Sequence, residues 1–130
     1  MSAAASVNAY KNQQIMTASP AELTLILYNG AIRFVAESIA ALGKGQTEKA
    51  HTANLRAQDI VREFMATLDM QYEVAKNLWA LYDYIEFRLI QANIRKDAAQ
   101  LEEAKALLTE LRDAWAEASK QARMAKAVGK

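Results

Sequence analysis

Residues 17–30 read Thr-Ala-Ser-Pro-Ala-Glu-Leu-Thr-Leu-Ile-Leu-Tyr-Asn-Gly, and this stretch marks where a helix begins. Ser19 is typical of a helix N-cap, because its hydroxyl can accept a hydrogen bond from a free amide of the first turn. Pro20, the only proline, then falls at the first helical position, where a missing N–H costs nothing. Glu22 follows three residues after the cap, which is the spacing of a capping box. The stretch therefore predicts a helix that begins at Pro20.

The predicted first helix is more apolar than a surface helix requires. Its first turns carry Leu23, Leu25, Ile26, Leu27 and Tyr28. A helix that covers one side of a core needs only an apolar stripe, with polar residues opposite. The excess predicts either burial from several directions or a groove that receives a partner. Gly30, in the middle of this helix, predicts either a close approach of another helix, which is the more usual reason, or a shallow spot for a partner's side chain.

Apolar residues recur at helical spacing along most of the remaining chain, and this spacing predicts inward faces that include Val74 and Leu78 in the third helix and Leu111 and Trp115 in the fourth. One proline and four glycines are too few to punctuate a fold of many strands. The first helix is expected to end before the flexible sequence Gly43-Lys44-Gly45. Three further helices are expected at about 47–68, 70–95 and from residue 98 onward, and their expected caps are Thr47, Asp69 and Asp97, the last with Gln100 as its capping-box partner.

The links between these helices are only about two to five residues long, which forces neighbouring helices to run antiparallel. We therefore predict an all-α fold, an antiparallel up-down four-helix bundle with an N-terminal arm or short extra helix packed on it. The arm is expected at residues 1–18, the bundle at 19–125 and a flexible tail at 126–130. The basic residues near the end, such as Arg123 and Lys126, suit a solvated helix C-terminus.

The composition is that of a globular protein with one domain: 130 residues, 52% of them apolar and 24% charged. The net charge of +1 argues against a dedicated nucleic-acid binder, and the absence of cysteine excludes disulfides and thiolate sites. We find no apolar run near the roughly 20 residues that span a bilayer. Residues 1–6 lack the pattern of a secretory signal. We expect neither membrane insertion nor a nucleic-acid partner.

His51, the only histidine, is the one candidate for metal binding or acid–base chemistry. Glu48 stands three residues before it, but a dimetal bundle needs a Glu-x-x-His pair from each of two helices and further glutamates. A surface histidine in the first turn of a helix is therefore the expected state. The chain also carries no glycine-rich phosphate loop and no evident set of nucleophile, base and orienting group. The sequence predicts no catalytic site and no metal site.

Four segments carry a resemblance to a known family. They are Asn8-Ala9-Tyr10, the stretch from Thr17 to Gly30, Leu81-Tyr-Asp-Tyr84 with Arg88-Leu-Ile-Gln-Ala-Asn-Ile94, and Arg112-Asp-Ala-Trp115. Together these segments resemble the flagellin export chaperones, the FliS family, in order and in spacing over nearly the whole chain. Residues 116–130 carry no pattern of that family.

The resemblance implies an antiparallel helical bundle in the bacterial cytosol that binds the disordered C-terminal segment of newly made flagellin. Members of the family prevent premature polymerisation of flagellin and deliver it to the flagellar type III export apparatus. They are not enzymes and need no cofactor. Their N-terminal arm lies over an apolar groove in the absence of flagellin and yields to the client, and Tyr10 matches the tyrosine of that arm.

Taken with the surplus apolar surface of the first helix, this resemblance leads to a hypothesis of competitive covering. An arm occupies part of an apolar groove until a client helix displaces it, which would protect an otherwise adhesive patch. The expected arm residues are Val7, Tyr10, Ile15 and Met16, and the expected groove residues of the first helix are Leu23, Leu27, Tyr28 and Ile32. Asn29 and Asp83 are candidates for polar contacts at the groove edge.

Two other functions stay open from the residues themselves: a bundle enzyme or metal carrier, and a structural helical protein that associates with itself. The oligomeric state expected for a chaperone of this kind is a monomer or a weak homodimer. The third helix carries aromatic residues on two sides, with Tyr82 on one and Tyr84 and Phe87 on the other. This arrangement predicts either a core plus a flanking helix or an exposed recognition surface.

Overall fold

The computed structural model describes residues 18–128, which form four α-helices joined by short turns. The expected arm residues Val7, Tyr10, Ile15 and Met16 lie outside the described residues. In chain order the helices are α1 (Pro20–Gly43), α2 (Thr47–Thr67), α3 (Glu73–Arg95) and α4 (Ala98–Val128).

The start of α1 follows the sequence prediction. Ser19 is the N-cap, and its hydroxyl accepts a hydrogen bond of 3.2 Å from the amide of Glu22. Pro20 occupies the first turn. The helix ends at Gly43, and Gly45 adopts a φ of 71°, a left-handed conformation that glycine tolerates without strain. Both ends of α1 are therefore determined by local sequence, as predicted.

The caps of the other helices agree only in part. Asp97 caps α4 as predicted, because its carboxylate accepts a 2.9 Å hydrogen bond from the amide of Ala99 and contacts the side chain of Gln100. The predicted cap Asp69 is wrong: α3 begins later, with Tyr72 at the N-cap, because Asp69 instead closes a turn by accepting from the amide of Gln71. Gln46 rather than Thr47 stands at the N-cap of α2.

Each helix packs against its neighbours in the chain, and α4 closes the ring by packing against α1. The turns of three, five and two residues leave no length for a crossover, so consecutive helices are antiparallel. The predicted four-helix bundle is thereby confirmed. Its centre is filled by side chains from all four helices, among them Val35, Val61, Ile85, Leu89, Leu101 and Leu108.

Small residues let the helices approach one another. Ala31, Ala57 and Ala104 are fully buried, one on each of three helices. A Cβ atom added at Gly30 would lie 3.5 Å from the Cδ1 atom of Ile60, which is ordinary van der Waals contact with α2. Helix α2 therefore lies next to Gly30, but the space would also admit an alanine, so the approach of α2 does not by itself require a glycine.

A chain of buried polar side chains joins α2 to α3. The amide of Asn54 donates to the carbonyl oxygen of Leu89 at 3.0 Å, and Gln58 donates to the Asn54 oxygen at 2.7 Å. Arg62 continues the chain by contacting Gln58 and pairing with Glu86 at 2.6 Å. Because a buried polar group is costly when it has no partner, these bonds favour a single register of the two helices.

Helix α1 is long and apolar enough, by length and composition alone, to cross a membrane. The expectation that no apolar run approaches the length needed to span a bilayer is therefore wrong. The few charged residues between Pro20 and Gly43 interrupt the apolar run, but the mean hydropathy of the helix stays high enough to pass the test. A helix that packs in the centre of a bundle meets the same test. In the bundle α1 buries Ala31, Val35 and Ala41, and its Ser38 hydroxyl donates to the carbonyl oxygen of Ala50 at 2.8 Å.

The helices differ in length. At 1.5 Å per residue, the 31 residues of α4 extend about 47 Å, whereas the 21 to 24 residues of the other helices extend about 32–36 Å. The indole N–H of Trp115 donates to the carbonyl oxygen of Ala21 at 3.0 Å, so Trp115 lies level with the first turn of α1. The part of α4 that follows Trp115 therefore projects beyond the other helices.

Candidate functional site

An open apolar cavity of about 440 Å³ lies at the end of the bundle where α1 and α3 begin and α2 ends. We call it the end groove. All four helices contribute to it, and α4 passes along it before projecting further. Its lining consists of Thr24, Tyr28, Phe64, Thr67, Leu68, Val74, Leu78, Tyr82, Leu111, Ala114, Trp115 and Ala118.

Three aromatic rings from three helices stack at the base of the end groove. The ring of Phe64 lies between those of Tyr28 and Tyr82, with centroid distances of 4.5 Å and 5.4 Å. The hydroxyl oxygens of the two tyrosines are 2.5 Å apart and share a hydrogen bond. Both tyrosines are almost fully buried, at 3% and 4% exposure. The base of the groove is thus a rigid aromatic layer with one pair of polar atoms.

The rim of the end groove is more exposed than its base. Val74 is 62% exposed and Trp115 is 36% exposed, although both are large apolar residues. The hydroxyl groups of Thr24 and Thr67 donate to carbonyl oxygens of their own helices, at 3.1 Å and 3.0 Å. The rim therefore offers apolar contact area to a partner, while its polar hydrogens are already used within the bundle.

Among the described residues that line the end groove, only the two tyrosines are ionisable. Burial raises the pKa of Tyr28 well above its usual range, and the hydrogen bond to Tyr82 raises it further. Burial also raises the pKa of Tyr82, although its hydrogen bond to Tyr28 acts in the opposite direction. Both hydroxyls consequently stay protonated at physiological pH, and the groove is electrically neutral.

A second depression, of about 590 Å³, continues from the end groove along the projecting part of α4. Trp115 and Ala118 line both cavities, so the two surfaces are continuous. The depression lies between the first turn of α1 and α4, and its other lining residues are Ser19, Ala21, Glu22, Ser119, Ala122, Arg123 and Lys126. Together the two cavities form an apolar surface that extends past the end of the bundle and has a basic margin.

The residues that the sequence assigned to a groove in α1 lie in different environments. Tyr28 lies at the base of the end groove. Leu27 and Ile32 are partly buried and pack against the core, whereas Leu23 is 37% exposed and lies outside the lining of the end groove. The structure therefore brings one of these four residues together with the apolar cavity.

Most residues of the end groove come from positions that sequence reasoning placed in the core. Val74, Leu78, Leu111 and Trp115 continue the inward stripes of α3 and α4, so periodicity assigned them to the interior. The groove arises because the helices begin and end at different levels, which leaves these parts of the stripes without a partner on every side. The length of the apolar pattern in α4, compared with that in α1, is the signal that could have indicated this.

The other candidate residues lie elsewhere. His51 is exposed and its ring Nδ1 contacts the amide of Asn93 at 2.8 Å. Within residues 18–128 no group of three or more histidine, aspartate or glutamate side chains is placed to hold a metal ion. Asn29 accepts a hydrogen bond from Arg112 at 3.1 Å, and Asp83 is exposed on the outer side of α3.

Of the aromatic residues of α3, Tyr82 is buried in the core, whereas Tyr84 and Phe87 remain exposed. The Tyr84 hydroxyl donates to the carboxylate of Glu103, and Arg88 donates to the Tyr84 oxygen at 2.8 Å, so this side of α3 is tied to α4.

Comparisons with known proteins agree with this architecture. The family model described as "Flagellar protein FliS" matches residues 3–122 of the chain. The flagellar secretion chaperone FliS of Bacillus subtilis (strain 168) is 38% identical over 110 residues, which cover 85% of this chain and 83% of that protein. The flagellar secretion chaperone FliS of Salmonella typhimurium is 36% identical over 111 residues, covering 83% of this chain and 82% of that protein.

A solved structure shows the same fold. The crystal structure of a flagellar chaperone from bacteria superposes with a TM-score of 0.73 and covers 89% of this chain and 98% of that one, at 18% sequence identity. The match to the family model spans nearly the whole chain, and the relatives named above share more than a third of their aligned residues with it. The chain therefore belongs to the FliS family of flagellar secretion chaperones.

Proposed function

We propose that this export chaperone binds the disordered C-terminal segment of flagellin at the end groove, in the cytosol of a bacterium. Binding there would keep flagellin from polymerising prematurely and hold it ready for delivery to the flagellar type III export apparatus. The observation that carries the proposal is the open, uncharged apolar surface at one end of the bundle, whose rim exposes Val74 and Trp115 to solvent.

The shape and chemistry of the end groove suit a helix-forming client. A disordered segment that folds on binding loses conformational entropy, and buried apolar surface must offset that loss. An amphipathic client helix presents apolar anchors at positions i, i+3 or i+4 and i+7, and a groove between helices accepts them. The continuation along the projecting part of α4 lengthens the surface, so a client helix of several turns could lie on it.

We also propose that the protein acts by binding alone, without catalysis and without a cofactor. The pair of tyrosine hydroxyls at the base of the end groove supports this, because raised pKa values keep both groups protonated at physiological pH, so that neither is present as a phenolate base or nucleophile. The alternative function, a structural bundle that associates with itself, makes a different prediction: stable homo-oligomers with no affinity for flagellin.

Fluorescence of Trp115 tests the proposed function directly. A Trp79→Phe background leaves Trp115 as the only indole of the chain. Titration with a peptide of the last few tens of residues of the same organism's flagellin should shift the emission to the blue, because the partly exposed ring becomes covered. A scrambled peptide of the same composition serves as the control. An unchanged spectrum with the native peptide would argue for the alternative function.

Competitive covering by the N-terminal arm forms a further part of the proposal. In it Val7, Tyr10, Ile15 and Met16 occupy part of the end groove in the free protein, where Tyr28 is the one residue of the four predicted in α1 that lines the groove. Removal of residues 1–17 should then increase the binding of a dye for apolar surface and tighten the binding of the flagellin peptide, because a competitor is gone. Equal dye binding and equal affinity in the full and shortened chains would contradict this part.

A further inference from the structure

The two tyrosine hydroxyls at the base of the end groove have one more hydrogen than the described bundle uses. Each hydroxyl carries one hydrogen, and the bond between Tyr28 and Tyr82 uses one of the two. Among residues 18–128, each of these oxygens has the other as its hydrogen-bond partner and no third group. Residues 18–128 therefore provide no acceptor for one of the two O–H hydrogens, at a place where both tyrosines are almost fully buried.

The remaining hydrogen-bond donors on the lining of the end groove are already occupied. Thr24 and Thr67 donate to carbonyl oxygens of their own helices, and the indole of Trp115 donates to Ala21. The other lining residues, such as Leu68, Leu78 and Leu111, have apolar side chains. The described lining of the end groove thus combines one available O–H donor, from the Tyr28–Tyr82 pair, with a continuous apolar surface.

We propose that the hydroxyl pair of Tyr28 and Tyr82 is a donor site that binds one carbonyl oxygen of the client segment lying in the end groove. This inference rests on the proposed function and adds to it the chemical group that fixes the client's position. Apolar surface attracts a client helix in many registers, whereas one hydrogen bond at the base of a groove favours the register that brings an acceptor to it.

The acceptor is expected to be a neutral amide carbonyl rather than a carboxylate. A carboxylate taken into an apolar groove needs a cation beside it, and the described lining of the groove contains no lysine, arginine or histidine. Neutral carbonyl oxygens are available on the side chains of asparagine and glutamine and on the last turn of any helix, where four carbonyl groups lack a partner within the helix. Because burial keeps both tyrosines protonated, the donor is present throughout the physiological pH range.

Phenylalanine substitutions test the site, because they remove a hydroxyl and keep the ring. In the Tyr28→Phe/Tyr82→Phe double variant both members of the pair are replaced, which leaves no buried hydroxyl unpaired and should keep the protein folded. Its affinity for the flagellin C-terminal peptide should fall by about 5- to 100-fold, since the client's carbonyl oxygen loses its donor. Either single variant retains one hydroxyl that can donate to the client, so it should bind as tightly as the wild type or more tightly.

Tyr84→Phe is the matched control, because its hydroxyl contacts Glu103 and lies outside the lining of the end groove. It should leave the affinity unchanged. Binding of the peptide to the wild type and to the double variant with equal affinity would overturn the donor site while leaving the proposed function intact. Failure of the wild type to bind the peptide would instead contradict the proposed function itself, so the two failures are distinguishable.

Discussion

Val74→Asp is expected to weaken the binding of the flagellin C-terminal segment by at least about 2 kcal/mol, which is roughly 30-fold in Kd. Val74 lies on the rim of the end groove and is 62% exposed in the free protein, so a carboxylate there stays hydrated until a client arrives. The client would have to bury this charge where no cation lines the described groove. Titration calorimetry or fluorescence of Trp115 would measure the loss.

The fold itself should tolerate Val74→Asp, because the residue lies in the first turn of α3, where the helix dipole favours a negative charge. Ile94→Asp is the matched control: it introduces the same charge on the same helix, at a position that is 70% exposed near the opposite end of the bundle. Its client affinity should match that of the wild type. If Val74→Asp also binds as tightly as the wild type, the client does not lie in the end groove.

The free energy of unfolding is expected to fall steeply above pH 10. Burial raises the pKa of both Tyr28 and Tyr82 in the folded state, whereas an unfolded tyrosine ionises near pH 10. Above that pH the unfolded chain releases protons that the folded chain keeps, so the contribution of the pair is complete below pH 10 and is lost as the pH rises. Each tyrosine that stays protonated costs about 1.4 kcal/mol per pH unit, which for two is a large part of a typical stability.

Urea unfolding followed by circular dichroism at several pH values would measure this loss. Other groups also titrate in this range, so the informative quantity is the difference between the wild type and the Tyr28→Phe/Tyr82→Phe variant. The variant should lose less stability between pH 9.5 and pH 11, by about 1 kcal/mol or more from the Tyr28 hydroxyl, with a contribution of the same sign from the Tyr82 hydroxyl. Parallel curves for the two proteins would show that the hydroxyls ionise as easily in the folded protein as in the unfolded one.

The class of fold and the ends of α1 could be predicted because they depend on local chemistry. Ser19, Pro20 and Gly45 act through their own backbone and side chains, and the stripes of α2 to α4 follow from a period of 3.6 residues. The prediction of the α3 cap was wrong because the Asp69 carboxylate can either cap a helix or close a turn. In the structure it closes a turn by accepting a hydrogen bond from the amide of Gln71. Local sequence does not distinguish these options, because both use the same carboxylate oxygen.

The end groove could be predicted only in outline. The surplus of apolar residues in α1 indicated a partner surface, but Leu27 and Ile32 pack against the core, and the cavity forms mostly from other helices. Val74 and Trp115 belong to stripes that look internal in the sequence. Their exposure depends on where four helices end relative to one another, which is a property of the assembled bundle and not of any single segment.

The most direct test of the account is titration calorimetry of the full chain with the flagellin C-terminal peptide at several temperatures. We expect a one-to-one complex whose heat-capacity change is negative, on the order of −0.2 to −0.5 kcal/mol/K, because a disordered segment folds on an apolar surface. Absence of binding, or binding with no change in heat capacity, would contradict the claim that the end groove is an apolar surface for an unfolded client.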